Sequence, residues 1–325
     1  MNIKIATTIL AIIATTCIVL TLSSAVTAQT DTETQDEIKA HSAVLSPAVP
    51  RSVTFAGEII KLTTQDRRER MDREMLAFTY SHINTILQIK RANRLFPIVE
   101  PILKECGVPE DLKFLMIIES NGDTEAISPA KAGGLWQFLE STGRDYGLEV
   151  NKEVDERFHI EKATRAACRY LKESYDLYGD WLTVAASYNT GRANVAKRIE
   201  SQKTSKAIDL KLMPETSRYI FRLLAIKTIF AAPQKYGFML RSNDLYPFIQ
   251  HKKTITIDSA VSNWGEFAQK HGITYLQLRE ANPWIRWTSL TNKKGTRYEI
   301  VIPDPEALEY DPEKTKAHDR RWVVE

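Results

Sequence analysis

The segment PEDLKFLMIIES, residues 109–120, decides the fold of this chain. Pro109 and the two acidic residues after it are typical of the first turn of a helix, where a missing N–H costs nothing and negative charge faces the positive end of the helix dipole. The residues that follow are apolar nearly all round, which indicates a buried helix. This helix ends before Asn121-Gly122 and carries a single carboxylate, Glu119, at its C-terminal end.

The surroundings predicted for Glu119 raise the pKa of its carboxyl group. Ile117 and Ile118 exclude water, and the negative end of the helix dipole opposes ionisation. A neutral carboxyl can donate a proton near neutral pH, which is what protonation of a glycosidic oxygen requires. Position alone, however, favours a glutamate that is simply exposed to water. The functional interpretation therefore depends on the motifs around it.

Helical periodicity extends in both directions from this segment. Apolar residues mark a helical face from residue 66 to residue 89, and a second helix is expected over 97–106. Downstream, Gly, Asn and Pro punctuation predicts helices over 161–178, 181–188, 193–200 and 214–231. Almost nothing up to residue 231 alternates like a strand. The fold class expected for this part is mainly α.

The pattern changes near residue 250. A β-branched stretch at 254–257 and a second strand at 298–302 enclose two short helices, 264–271 and 276–282. This order predicts a small α+β module with a strand, two helices and a strand. The remaining residues, 304–325, are read as a polar tail.

Composition excludes several classes of protein. The chain has 325 residues, 43% of them hydrophobic and 26% charged, which is ordinary for a globular protein with a sizeable core. Its 44 basic and 41 acidic residues give a net charge of +3, too balanced for a nucleic-acid-binding surface. The three cysteines lack the spacing of a zinc site, so no metal is expected.

Residues 1–28 are predicted to be an export signal. A short n-region with Lys4 precedes an apolar run and small residues that end at Ala28, where cleavage is expected. The alternative is a retained anchor, which would be the protein's contact with the membrane. Cleavage would leave Cys106 and Cys168, either as a disulfide or as two free thiols. Residues 29–50 read as a linker.

Short motifs lie on both sides of Glu119 and far downstream of it. They are Glu119-Ser120, Ala126-Ile127-Ser128-Pro129, Ala132-Gly133-Gly134-Leu135-Trp136-Gln137, Tyr146-Gly147-Leu148, Ala186-Ser187-Tyr188-Asn189-Thr190-Gly191 and Met213-Pro214-Glu215-Thr216-Ser217-Arg218-Tyr219. Together they resemble the family 1 lytic transglycosylases, in particular the membrane-bound type D branch, over about residues 97–238. The resemblance implies a goose-type lysozyme (SLT) fold and activity on bacterial peptidoglycan.

The resemblance also implies roles for individual residues. Glu119 is expected to be the sole catalytic acid and base. Substrate-binding roles are expected for Ser120, which also holds the end of its helix, and for Ser128, Trp136, Gln137, Tyr188, Asn189, Glu215 and Tyr219. For Trp136 two interpretations stay open, stacking on a sugar face or filling the core. Gly133-Gly134 is read as a close backbone approach, and Asp155 with Arg157 as a structural ion pair.

With one carboxylate supported, the resemblance implies a reaction without water. Glu119 would protonate the β-1,4 bond between N-acetylmuramic acid and N-acetylglucosamine, and the muramoyl 6-hydroxyl would close on C1 to leave a 1,6-anhydro end. The alternatives are a hydrolase (muramidase), with Asp123 or Glu125 positioning water, and a catalytically idle wall-binding scaffold. No cofactor or metal is needed, and peptidoglycan glycan strands are the expected partner.

The C-terminal module resembles a degenerate lysin motif (LysM), through Trp264-Gly265-Glu266-Phe267-Ala268 and residues 276–283. Ser259-Ala260-Val261-Ser262 replaces that family's usual opening loop, and Lys131 replaces a common glycine in the catalytic part. The expected organisation is an export signal (1–28), a linker (29–50), a helical extension (51–96), a catalytic domain (97–240), a LysM-like module (241–303) and a polar tail (304–325). Export to the periplasm follows, with outer-membrane attachment left open.

Overall fold

The computed structural model of the protein describes residues 46–249 and 251–324. The predicted export signal and most of the predicted linker lie outside these residues. In the described part, no helix combines the length and the apolar composition needed to cross a membrane.

The described chain begins with a β-hairpin that the sequence patterns did not predict. Strand β1 (Ser52–Phe55) pairs antiparallel with β2 (Glu58–Lys61). Ala56 and Gly57, at φ 50° and 85°, make the two-residue turn, and paired positive φ values are what such a tight hairpin requires. Buried Val53 and Phe55 attach the hairpin to the helical core.

Helices form the body of the chain between residues 65 and 231. Their bounds are α1 Gln65–Tyr80, α2 His82–Glu105, α3 Lys113–Ser120, α4 Glu140–Asp145, α5 Ile160–Tyr178, α6 Trp181–Thr190, α7 Arg192–Gln202 and α8 Pro214–Ala231. The mainly helical class is confirmed, and the four helices predicted after residue 160 are correct to within two residues at each end. The expected start of a helix at residue 97 is wrong, because α2 runs uninterrupted through Pro97 and Pro101.

Helix α3, which carries Glu119, is enclosed by α2 and α8. The Phe114 ring lies 5.8 Å from that of Phe96 and 5.4 Å from that of Phe230, centroid to centroid, both edge to face. The helix ends at Asn121, whose φ of 55° is left-handed and whose side-chain oxygen accepts a 2.7 Å hydrogen bond from Gln88. A hydrogen bond from α2 therefore holds the C-terminal end of α3 in place.

The glycines after α3 allow two backbone segments to touch, as predicted. Gly134 has φ 73°, and a Cβ atom there would lie 2.0 Å from the carbonyl oxygen of Arg157. The Arg157 guanidinium pairs with the buried Asp155 carboxylate at 2.7 Å, which confirms the structural ion pair. Its Nη1 also donates to the carbonyls of Lys131 and Phe138, at 2.8 Å and 3.0 Å.

Lys131 occupies a left-handed backbone conformation, with φ 61°. We expect Lys131→Gly to raise the free energy of unfolding by about 0.5–1 kcal/mol, because glycine adopts this conformation without a Cβ penalty. Thermal unfolding by circular dichroism measures the change. Lys172→Gly, on the exposed face of α5, is the matched control and should destabilise by about 1 kcal/mol. A loss of stability in both variants would contradict the strain at residue 131.

Cys106 and Cys168 are neighbours. Both are free thiols, and the Cys106 thiol is hydrogen-bonded to that of Cys168, whose pKa is raised by burial and by Cys106. Glu105 and Arg165 form a bidentate ion pair beside them, at 3.0 Å and 2.8 Å. Both contacts join the C-terminal end of α2 to α5.

The C-terminal module has the predicted order of elements. Strands β3 (His251–Ile257) and β4 (Tyr298–Pro303) pair antiparallel around α9 (Trp264–Lys270) and α10 (Tyr275–Ala281). The apolar core of the module includes Trp264 and Trp284 together with Val154 and Phe158, which belong to the segment before α5. The Asp155 amide donates to the Trp284 carbonyl at 2.9 Å. The module therefore shares its core with the helical body.

The residues predicted as a polar tail return to the helical body. After α11 (Pro305–Leu308), the chain places Trp322, only 2% exposed, between the rings of Phe96 and Phe230. The Trp322 indole donates to the Phe230 carbonyl at 3.0 Å. The last described residues thus complete the core behind α3, although most of the segment is polar.

Candidate active site

Glu119 faces a cavity of about 450 Å³ between α3 and the start of α8. Its carboxylate accepts a 2.6 Å hydrogen bond from the hydroxyl group of Tyr219. The residues lining this cavity are Ile118, Glu119, Asn189, Pro214, Glu215, Arg218, Tyr219 and Arg222. A carboxyl group held by a buried phenol at the wall of an open cavity can transfer a proton to a bound molecule.

The pKa of Glu119 is raised to about 7, mainly because burial disfavours the ionised form. The hydrogen bond from Tyr219 and the positive charge of Arg222 act in the opposite direction, and the negative charge of Glu215 adds to the rise. The carboxyl is therefore largely protonated below pH 7 and becomes a base above it. This is the environment that the sequence predicts for Glu119.

A second cavity, of about 620 Å³, adjoins the first. Asn189, Pro214 and Glu215 line both cavities. The other residues lining the second cavity are Thr190, Asn194, Arg198, Leu212, Met213 and Thr216. The two cavities form a groove along the N-terminal end of α8.

The structure brings together four of the predicted site residues, Glu119, Asn189, Glu215 and Tyr219, at the first cavity. Tyr188 lies near them but does not line it. The Tyr188 hydroxyl donates to the carbonyl of Trp136 at 2.6 Å, and the pKa of this phenol is raised by burial and by the Glu119 charge.

The remaining predicted residues support the loop after α3. Ser120 Oγ donates to the Met116 carbonyl at 2.8 Å, Ser128 Oγ accepts from the Ala132 amide at 3.1 Å, and Gln137 Nε2 donates to the Gly134 carbonyl at 2.8 Å. Ser120 is buried and its hydroxyl is bonded within its own helix, as expected for a residue that holds the end of that helix, and its substrate contact stays a prediction.

Of the two interpretations left open for Trp136, the structure bears on the one that places it in the core. The Trp136 side chain is 0% exposed, and its indole N–H donates to Thr164 Oγ1 at 2.9 Å. The alternative, that Trp136 fills the core, is the one that the structure supports. The bulk of an indole indicates burial or binding equally well, and its orientation depends on long-range packing.

Sequence reasoning missed two cationic residues of the cavity, Arg218 and Arg222. Arg218 pairs with buried Glu74 at 2.9 Å, and the Arg222 guanidinium lies 3.5 Å from the Ile118 carbonyl oxygen. Both follow Glu215 at helical spacing, three and seven residues on, so they lie on the same face of α8. That periodicity is the signal that identifies them.

The carboxylates considered for water activation lie elsewhere. Asp123 is within 3.6 Å of the Arg91 guanidinium, and Glu125 is within 3.6 Å of the Arg286 guanidinium from the C-terminal module. Neither lines the first cavity. Glu215 is the other carboxylate that does, and it is exposed.

Two family models match this chain, one over part of the helical body and the other over the C-terminal module. The "Transglycosylase SLT domain" matches residues 98–211, which include Glu119 and Asn189. The "Soluble lytic transglycosylase C-terminal LysM-like domain" matches residues 253–306. Residues 98–211 are therefore similar to SLT transglycosylase domains and residues 253–306 to the LysM-like domain, and both predicted resemblances are confirmed.

Among known proteins, the chain is similar to "Membrane-bound lytic murein transglycosylase D" of Escherichia coli strain K12. The two are 29% identical over 261 residues, 78% of this chain and 56% of that protein, and the protein of the same name in E. coli strain CFT073 gives the same values. A "Putative tributyltin chloride resistance protein" of Alteromonas sp. strain M-1 is 30% identical over 112 residues, 34% of this chain and 53% of that protein. The chain spans about half the length of these curated relatives.

Removal of the Tyr219 hydroxyl tests the electrostatics of the site. We expect Tyr219→Phe to raise the pKa of Glu119 further, because the hydrogen bond that stabilises the carboxylate is lost. A reaction that needs the protonated carboxyl should slow as the pH rises through about 7, and this limb should move to higher pH in the variant. The rate should drop roughly 10- to 100-fold.

The measurement is a pH–rate profile for the wild type and the variant. Tyr178→Phe is the matched control, because the Tyr178 hydroxyl donates to the Arg192 carbonyl away from the cavity. A Tyr219→Phe profile that coincides with that of the wild type would show that this hydrogen bond does not influence the catalytic proton.

Proposed function

We propose that this chain is a peptidoglycan lytic transglycosylase that cleaves the β-1,4 bond between N-acetylmuramic acid and N-acetylglucosamine without consuming water. The observation that carries the proposal is the Glu119 carboxyl, with a pKa of about 7, which lies in the segment that matches the SLT domain and at the wall of an open cavity. The name of the E. coli relatives supports the same activity.

In the proposed reaction, protonated Glu119 donates its proton to the glycosidic oxygen as the bond to C1 breaks. The resulting carboxylate, stabilised by the Tyr219 hydroxyl and the Arg222 charge, then accepts the proton of the muramoyl 6-hydroxyl. The 6-oxygen bonds to C1, and Glu119 is protonated again. A hydroxyl of the same sugar reaches a high effective concentration at C1, so a second protein carboxylate is not required.

The substrate-binding roles are proposed for Asn189, Glu215 and Tyr219 at the cavity wall and for Tyr188 beside it. Ser128 and Gln137 are proposed to act by shaping the loop after α3. The chain is proposed to work in the cell envelope, with residues 1–28 as an export signal to the periplasm and the LysM-like domain in contact with glycan.

The test is digestion of purified sacculi with the mature protein, followed by mass spectrometry of the released muropeptides. Products with 1,6-anhydromuramoyl ends are expected. Products heavier by one water would replace the proposal with hydrolysis, for which Glu215 is the carboxylate best placed to position water. Absence of any release by the folded wild type would favour a wall-binding scaffold.

A further inference from the structure

The second cavity contains an arginine that the proposed chemistry does not use. Arg198 lies on α7, and its guanidinium is 3.9 Å from the Met213 sulfur atom. Across residues 46–249 and 251–324, no carboxylate lies within ion-pair distance of Arg198. An exposed guanidinium without an anionic partner, at the wall of a cavity, is suited to bind a carboxylate.

The lining of this cavity follows from the helix geometry. Asn194 and Arg198 are four residues apart on α7, so their side chains share one face, and Thr190 is the last residue of α6 before it. Asn194 Nδ2 donates to the Thr190 carbonyl at 2.7 Å, which fixes the amide at this face. Met213, which is 57% exposed and whose sulfur contacts the Arg198 guanidinium, adds an apolar surface to the lining. A lining that combines polar and apolar groups is suited to a peptide.

The charges of the cavity also favour a peptide that carries both signs. Glu215 is exposed and lines both cavities, so the second cavity carries a basic and an acidic side chain. A simple anion would be repelled by the Glu215 carboxylate, whereas a peptide with carboxylate and amine groups can satisfy Arg198 and Glu215 together. Peptidoglycan presents such a chain, because an acidic peptide is joined to the lactyl group of muramic acid.

We propose that the cavity around Arg198 binds the acidic stem peptide of the muramoyl residue whose glycosidic bond lies at Glu119, with Arg198 paired to a peptide carboxylate. This inference rests on the proposed function, since it assigns the branch of the same substrate to the cavity next to the acid. The shared residues Asn189, Pro214 and Glu215 make the two cavities continuous, as a branched substrate requires.

The test compares two substrates, sacculi that carry stem peptides and glycan strands from which an amidase has removed them. On the peptide-bearing substrate, Arg198→Gln should lower kcat/KM roughly 5- to 20-fold, mainly through KM, because one exposed charge-assisted contact is lost. On peptide-free strands the variant should equal the wild type. On sacculi, the kcat/KM of Arg198→Lys should lie between the values of the wild type and of Arg198→Gln. Lys197→Gln, an exposed neighbour outside the cavity, is the matched control.

The outcomes separate this inference from the proposed function. If the wild type releases anhydro products from both substrates and Arg198→Gln equals it on both, the peptide site is refuted while the activity stands. An equal loss on both substrates would assign Arg198 to glycan binding or to folding, and would also overturn the peptide site. If the folded wild type cleaves neither substrate, the proposed function itself fails.

Discussion

Glu119→Gln should abolish clearing of peptidoglycan, with a loss of roughly 10³-fold or more, because the amide keeps the size of the side chain but cannot transfer a proton. The Tyr219 hydroxyl can still donate to the amide oxygen, so the cavity should keep its shape. The measurement is release of soluble muropeptides from sacculi at pH 6. Glu125→Gln is the matched control, since Glu125 lies outside the cavity, and it should keep wild-type activity. Unchanged clearing by Glu119→Gln would exclude Glu119 as the catalyst.

The same substitution should stabilise the protein at alkaline pH. The pKa of Glu119 is raised to about 7 from 4.5, so protonation stabilises the folded state below pH 4.5, and this contribution is lost as the pH rises through about 7. At pH 8 the wild type holds an ionised, largely buried carboxylate, which the amide removes. The free energy of unfolding should then be higher in Glu119→Gln by about 1–3 kcal/mol. Thermal unfolding at pH 4 and pH 8 measures it.

A gain in melting temperature at pH 8 that disappears at pH 4 is the expected signature. An equal difference at both pH values would mean that the Glu119 carboxyl titrates as an ordinary exposed group. Loss of activity together with gain of stability would show that the site holds its proton donor at a cost to the fold.

Local chemistry made much of the helical body predictable. The bounds of α8, Pro214–Ala231, agree with the prediction. A proline begins the helix, and apolar residues then recur at helical spacing along it. The burial of α3 follows in the same way from a segment with no polar face. Glu119 could be identified only from the motifs around it, because its position alone favours an exposed glutamate; in the structure Ile118 lines the same cavity beside it.

The features that sequence missed depend on contacts between distant segments. The continuity of α2 through Pro97 and Pro101 cannot be read locally, because proline usually ends a helix and only packing on both sides retains this one. Burial of Trp322 between Phe96 and Phe230 joins residues more than ninety positions apart. The hairpin at 52–61 has strands of four residues, too short for alternation to be distinguished from chance.

The LysM-like module packs against the helical body that carries Glu119. Arg286 lies over the Phe158 ring at 4.2 Å and within 3.6 Å of Glu125, beside the loop after α3. The ring of Phe158 in turn occupies the space that a Cβ atom at Gly133 would need. A chain of contacts therefore connects the LysM-like module to the loop that supports Glu119.

Arg157→Ala should destabilise the protein by about 3–5 kcal/mol, since it leaves the buried Asp155 carboxylate without its partner and removes the donor to the Lys131 and Phe138 carbonyls. The melting temperature should fall by about 10 °C. Adding Asp155→Asn should recover part of the loss, because a neutral amide is less costly to bury.

Differential scanning calorimetry of the wild type, both single variants and the double variant measures the coupling between Arg157 and Asp155. Lys314→Gln is the control, since its 3.2 Å pair with Asp311 is exposed on both sides and its loss should change the melting temperature by no more than about 2 °C. Arg157 meets both the loop after α3 and, through Asp155, the LysM-like domain at Trp284. A drop in activity at temperatures where Arg157→Ala is still folded is therefore also expected. If the losses of the two single variants simply add in the double variant, Arg157 and Asp155 are not coupled. The pair would then not connect the loop after α3 to the LysM-like domain.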